Sequence, residues 1–297
     1  MSDHLRRISF LLFASIVGSL LAADSWQSLL DAELSDWEVW TGVPHETVPI
    51  DWAEKGDDGK TGEPLGLGWN ERGLYRVSEA SGEPVLRISG EIYAGLTSRE
   101  SWGDYHLRME FRWGEKKWEP RLERLRDSGI LYHATGEHGA FWKVWMRSLE
   151  FQIQEGDCGD LYLLAGPSAQ VAAQPPASGQ RAMYDPAAES LQFGDGKPGV
   201  VRHGPSTEKP HGEWNVVEIL TLGDRAVHLV NGEVVLALTD ARIKRDGALV
   251  PLSAGRIQIQ SEGAEVYYRR IEIRPLDAFP ADIIAATGWS QAVNLRE

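Results

Sequence analysis

Cysteine is nearly absent: the 297-residue chain has one, Cys158. A lone cysteine excludes an internal disulfide and a cysteine-rich zinc site, so a large apolar core must hold the fold. No His–carboxylate pattern beside Cys158 would activate a thiolate, and it reads as a small filler. Long helical patterns are also missing; the best, Trp26–Leu30 and Ala281–Ala286, are short. Basic charge is scarce, with 30 Lys and Arg against 44 Asp and Glu, a net −14. Such a chain repels polyanions, which argues against nucleic acid and anionic membranes as partners. A phosphate-binding loop, a serine nucleophile elbow and a dinucleotide fingerprint are absent too.

The first residues read as a processing segment. Arg6 and Arg7 precede the apolar run Ile8–Ala22, and small residues, Ala22 and Ala23, follow. The run is shorter than the ~20 apolar residues of a spanning helix. We therefore expect a signal peptide over residues 1–23, no stable membrane insertion, and export to the periplasm or cell exterior. Its loss removes one net positive charge and leaves −15. Residues 24–275 then fit one all-β domain, with 276–297 as a C-terminal tail.

Tryptophan is plentiful, at twelve. Most should anchor the core, and a few should line a cleft, since flat sugar faces stack on indole. Periodicity of two dominates. Leu107, Met109, Phe111 and Trp113 alternate with polar residues, and so do Leu149, Phe151 and Ile153. Further alternating segments lie at 216–222, 226–230, 256–260 and 266–274. Asn231-Gly232 closes a two-residue hairpin. Many short half-buried strands predict a β-sandwich of two antiparallel sheets. Two stretches, 44–73 and 166–211, are expected to be long loops that wall a cleft or lie on the surface.

The densest polar set is Ser148-Leu-Glu-Phe-Gln-Ile-Gln-Glu155. A regular strand puts Ser148, Glu150, Gln152 and Gln154 on one face. Glutamine offers a donor and an acceptor, which suits sugar hydroxyls. A bulge after Gln152 would bring Glu155 beside Glu150, as the two carboxyls of a glycoside hydrolase. Alternation in Ile130–His133 points His133 to the polar face as base, acid or ligand. Arg108 on one strand, and Gln258, Gln260 and Glu262 on another, would extend that face or form a salt-bridged exterior.

In order along the chain come WQSLLDAELSDWEVW (26–40), YHLRMEFRWGEKKW (105–118), DSGILYH (127–133), WMRSLEFQIQEGDCGDLYLL (145–164), GEWNVV (212–217) and GRIQIQSEGAEVYYRRIEIRPL (255–276). This set resembles the 3-keto-disaccharide hydrolase domain family. The resemblance implies an exported, concanavalin A-like (jelly-roll) sandwich acting on a sugar already oxidised at C3. It implies a sugar 3-dehydrogenase as functional partner. The departures are His133 after Tyr132, where Arg-Gly is common, and Tyr-Arg-Arg-Ile at 268–271. The sandwich is also similar to that of glycoside hydrolase family 16, whose Glu-x-Asp-x-x-Glu strand would align with Glu150, Gln152 and Glu155. Gln152 there weakens ordinary retaining hydrolysis.

A C3 ketone acidifies the C2 hydrogen, so a modest base removes it, the C1–O bond leaves and water adds back. For that chemistry Glu150 is expected as base or metal ligand, with His133 as the partner acid/base or ligand. Gln152, Gln154 and Gln260 would bind hydroxyls, and Arg108 or Arg269 would support the enolate, as would a divalent metal ion. Direct hydrolysis by Glu150 and Glu155, and a non-catalytic glycan-binding module, remain the alternatives.

Overall fold

The computed structural model describes residues 25–80, 82–176 and 178–290. The expected signal segment lies outside them. Among the described residues no helix is long and apolar enough to cross a membrane.

Among the described residues, twenty strands pair into two sheets. The front sheet runs β3 (Gly66–Leu67), β2 (Trp37–Thr41), β6 (Ala94–Ser98), β19 (Arg256–Ser261), β8 (Asp127–Thr135), β9 (Arg147–Gln154), β10 (Leu161–Leu164), β14 (Val200–Arg202), β12 (Ala182–Tyr184) and β11 (Ser168–Gln174). The back sheet runs β1 (Gln27–Ser28), β20 (Ala264–Pro275), β7 (Tyr105–Lys117), β15 (Asn215–Leu222), β16 (Arg225–Val230) and β17 (Glu233–Arg245). The hairpin β4 (Tyr75–Ala80) and β5 (Glu83–Ile88) extends it at β20, and β18 (Ala248–Pro251) at β17. Strand β11 turns the corner, pairing β12 in front and both β17 and β13 (Ser190–Gly194) behind. The pairing is antiparallel except between β12 and β14, a short parallel departure from the expected pattern.

Inward-facing residues make the core. Leu107, Met109, Phe111 and Trp113 of β7 are buried, as are Leu149, Phe151 and Ile153 of β9. A fully buried side chain such as Phe151 contributes ~1.5–3 kcal/mol. Polar contacts join the sheets face to face. The Tyr132 hydroxyl meets His228 Nε2 at 2.9 Å, and Ser128 Oγ meets the Tyr268 hydroxyl at 2.9 Å. Cys158 is buried, as a filler should be. Asn231 (φ 52°) and Gly232 (φ 85°) are both left-handed, as their hairpin requires.

The 166–211 stretch is not one loop: it contributes β11 to β14. The signal is weak there because alanine fills the buried positions of β11, Ala169 and Ala173 with Val171. Trp26–Leu30 is strand at Gln27–Ser28 rather than helix. In the tail, α1 (Ala281–Thr287) buries Ile283 and Ile284 and ends at left-handed Gly288.

His228 makes the fold acid-sensitive. Its Nδ1 lies 3.0 Å from the Gly159 carbonyl, so that nitrogen donates and Nε2 accepts from Tyr132. Burial pulls His228 down to about 4, against ~6.5 in an unfolded chain. The unfolded state therefore binds the extra proton, and stability falls as pH drops from ~6.5 toward 4. Thermal melts should show a smaller loss of Tm from pH 7 to pH 5 in His228→Gln than in wild type. Equal losses would remove His228 from the acid response.

Candidate active site

On β9 the residues facing away from the core are Ser148, Glu150, Gln152 and Gln154. Loops cover this face and leave a cleft of about 570 Å³. Its floor carries Asp127, Glu150, Gln152, Gln154, Gln260 and Glu262. One wall is Phe141, Trp142 and Trp145; the other includes Tyr162, Gly199, Val200 and Arg181.

Glu150 is 3% exposed, and the groups that act on it are Asp127 and Gln260, neither of them a cation. Burial drives its pKa well above the ordinary carboxylate range, and the Asp127 charge adds to this, against a hydrogen bond with Gln260. Gly129 makes that contact possible. A Cβ there would lie 2.4 Å from both Glu150 Oε1 and Gln260 Oε1.

Beside it sits a buried ion cluster. Arg121 bonds Asp127, and its Nη1 lies 3.0 Å from Glu262 Oε1. Burial pulls Arg121 down, but the charges of Asp127 and Glu262 outweigh it and hold it above its usual value. Burial pushes Asp127 up, opposed by Arg121 and by Gln154, whose Nε2 donates to Oδ2 at 2.6 Å. Burial also raises Glu262, with the Asp127 charge next. Asp127 and Glu262 thus share one guanidinium with Glu150 as a third carboxyl beside them, and the three do not all hold charge at once. Asp127 Oδ1, Arg121 Nε, Gln152 Oε1 and Gln260 Oε1 are buried without a hydrogen-bond partner. Buried polar groups are normally satisfied, so these mark groups awaiting a ligand.

Backbone strain shapes the aromatic wall. Trp142 (φ 55°) and Lys143 (φ 62°) are both left-handed. Trp142 is left 43% exposed, its ring 4.6 Å from Phe141 and 5.6 Å from Trp145. The 44–73 loop closes over this wall: Lys60 Nζ sits 3.3 Å above the Trp142 ring, and Lys143 Nζ donates to the Gly62 carbonyl at 2.6 Å.

The structure gathers Glu150, Gln152, Gln154 and Gln260, and it separates the other candidates from them. Regular alternation predicts His133 beside Leu131 on the polar face. A bulge after Tyr132, with His133 at φ 50°, turns the ring instead toward Tyr105 and Tyr132 on the core side. Burial there lowers it to about 3. Glu155 does not reach Glu150's face either. Strand β9 stays regular to Gln154 and then turns, so Glu155 pairs with Arg126 at 2.9 Å. Arg108 and Arg269 belong to the back sheet, where they pair with Glu272 and Glu110, each at 2.6 Å. Sequence reasoning missed Arg121, Asp127, Trp142, Trp145 and Tyr162 as cleft residues. Among the described residues, no three His, Cys, Asp or Glu are arranged to hold a metal ion.

A protein of Parabacteroides distasonis ATCC 8503, provisionally named a glycosyl hydrolase, is 15% identical, with a TM-score of 0.45 over 85% of this chain and 100% of its own. A second structure from that organism, named likewise, is 14% identical, with a TM-score of 0.47 over 86% and 95%. A Bacillus subtilis protein of unknown function with a galectin-like fold is 12% identical, with a TM-score of 0.41 over 86% and 96%. No curated protein matches the chain. The model of the 3-keto-alpha-glucoside-1,2-lyase-like domain matches residues 25–274, and the chain belongs to that carbohydrate-active family.

Proposed function

We propose that this protein cleaves 3-keto-glycosides by elimination followed by hydration. The observation that carries the reading is a buried carboxyl without a cation, Glu150, beside a second carboxyl tied to the largely buried Arg121. Burial raises both carboxyls, but Arg121 opposes the rise at Asp127 and not at Glu150, which assigns Glu150 as the acid and Asp127 as the base. Asp127, with Oδ1 free, takes the proton from C2. The electron pair flows toward the C3 oxygen, where Arg121 supports the enolate. As the C1–O bond breaks, Glu150 gives its proton to the leaving oxygen. Water then adds across C1=C2, restoring the C2 hydrogen and placing a hydroxyl on C1. Gln152 and Gln260 supply open carbonyls for ring hydroxyls, and Trp142 with Trp145 gives the apolar wall.

Arg121 thus takes the electrophilic role first assigned to Arg108, Arg269 or a metal ion. The substrate requires prior oxidation at C3 by a sugar 3-dehydrogenase acting where this protein is exported. Incubation with paired 3-keto and plain glucosides should release the leaving group from the oxidised member of the pair. Release from plain glucosides would point to direct hydrolysis, and release from neither to a binding module.

A further inference from the structure

Strand register extends the cleft beyond the reacting carboxyl. Glu150 pairs with Tyr162, and Tyr162 with Val200, so the three form one row across β9, β10 and β14. Strand β12 follows, with Arg181 just before its first residue. Neighbouring strands lie ~4.8 Å apart, so the row leads from Glu150 toward β12 in steps of about one sugar residue. A second hollow of about 500 Å³ begins where the cleft ends, sharing Arg181, Gly199 and Val200 with it.

The second hollow is chemically unlike the first. Its lining is mainly apolar, with Leu191, Phe193, Pro198 and Val200; Gln180 and Lys197 join it, and its Gln192 is already bonded to the Phe193 carbonyl at 3.0 Å. At the junction the Arg181 guanidinium lies 5.4 Å from the Tyr162 ring centroid and donates to its hydroxyl at 2.6 Å. A second sugar needs several paired donors and acceptors, and this lining offers few. A planar apolar group finds an aromatic platform, a guanidinium face and an aliphatic floor.

We propose that this hollow is the leaving-group subsite and that it takes an aryl aglycone rather than a second sugar. The assignment rests on the reaction read above only for the words leaving group; the groove itself is tested without turnover.

Calorimetry with 2-naphthyl glucoside and methyl glucoside, both unoxidised, reads the groove directly. Naphthyl glucoside should bind at least tenfold more tightly. That advantage should shrink about tenfold in Leu191→Ser and in Arg181→Ala, the latter at an exposed position that spares the fold. The kcat/KM ratio of 3-keto naphthyl to 3-keto glucosyl substrate should fall in parallel, mainly through KM. An advantage that is absent, or unmoved by both substitutions, overturns the groove. Tight aryl binding without turnover of any 3-keto substrate leaves an aryl-glucoside site standing and overturns its role as a leaving-group subsite.

Discussion

Glu150→Gln should lower release of a poor leaving group, such as a sugar or alkyl alcohol, by about 10²–10⁴-fold. Release of nitrophenolate from the matching 3-keto-glucoside should fall far less, because that group departs without protonation. The contrast separates acid from base: if Glu150 removed the C2 proton, both substrates would slow alike. The same substitution should stabilise the protein at neutral and alkaline pH. Burial raises Glu150 well above its unfolded value, so the folded state holds a proton that the unfolded state releases. Stability attached to this group is present below ~4.5 and is lost as pH rises above it. Glutamine has no proton to lose, so the variant's Tm advantage should grow from pH 5 to pH 8. A variant less stable than wild type at pH 8 would overturn the raised carboxyl, and one undiminished on alkyl glycosides would remove Glu150 as the acid.

That coupling of function to instability explains why the floor of the cleft was legible and its walls were not. Polar residues at every second position of β9, including two glutamines, are unusual on a water-facing strand; here Ser148, Glu150 and Gln152 are buried and Gln154 is half-buried. The hydrophobic alternation of β7, β9 and β20 fixed which faces meet. Side-chain orientation failed where the chain leaves regular alternation. One left-handed residue, His133, reverses the direction of its ring, and histidine tolerates that backbone without a sequence mark. Glu155 lies one residue beyond the last regular pair. Arg121 was hidden among Arg121, Arg124 and Arg126, which look equivalent in sequence. The turn between β7 and β8 lays its stem on Gly263, where a Cβ would come within 2.9 Å of Arg121 Cβ. The second loop concealed strands because alanine carries little β signal, so the apolar hollow past Tyr162 left no trace in the pattern.

Arg121→Met should be the most destabilising change in the cleft. It strands Asp127 and Glu262 in a site where each is 5% exposed or less. Removing one partner of a buried ion pair costs about 3–5 kcal/mol, mostly from the uncompensated charge left behind. The loss should depend on pH with a definite sign. Without the guanidinium both carboxyls are neutral when folded, so their folded pKa values rise further above the unfolded ones. The variant should then lie closest to wild type near pH 5 and fall away toward pH 8. Adding Asp127→Asn and Glu262→Gln should return most of the stability at pH 8, because no buried charge remains. It should not return turnover, since the base and the enolate's cation are both gone. Urea melts of the three proteins at the two pH values decide the matter. A single variant within about 1 kcal/mol of wild type at pH 8, or one that the added amides fail to rescue, would mean that Arg121 does not neutralise this cluster. The enolate would then need another source of positive charge.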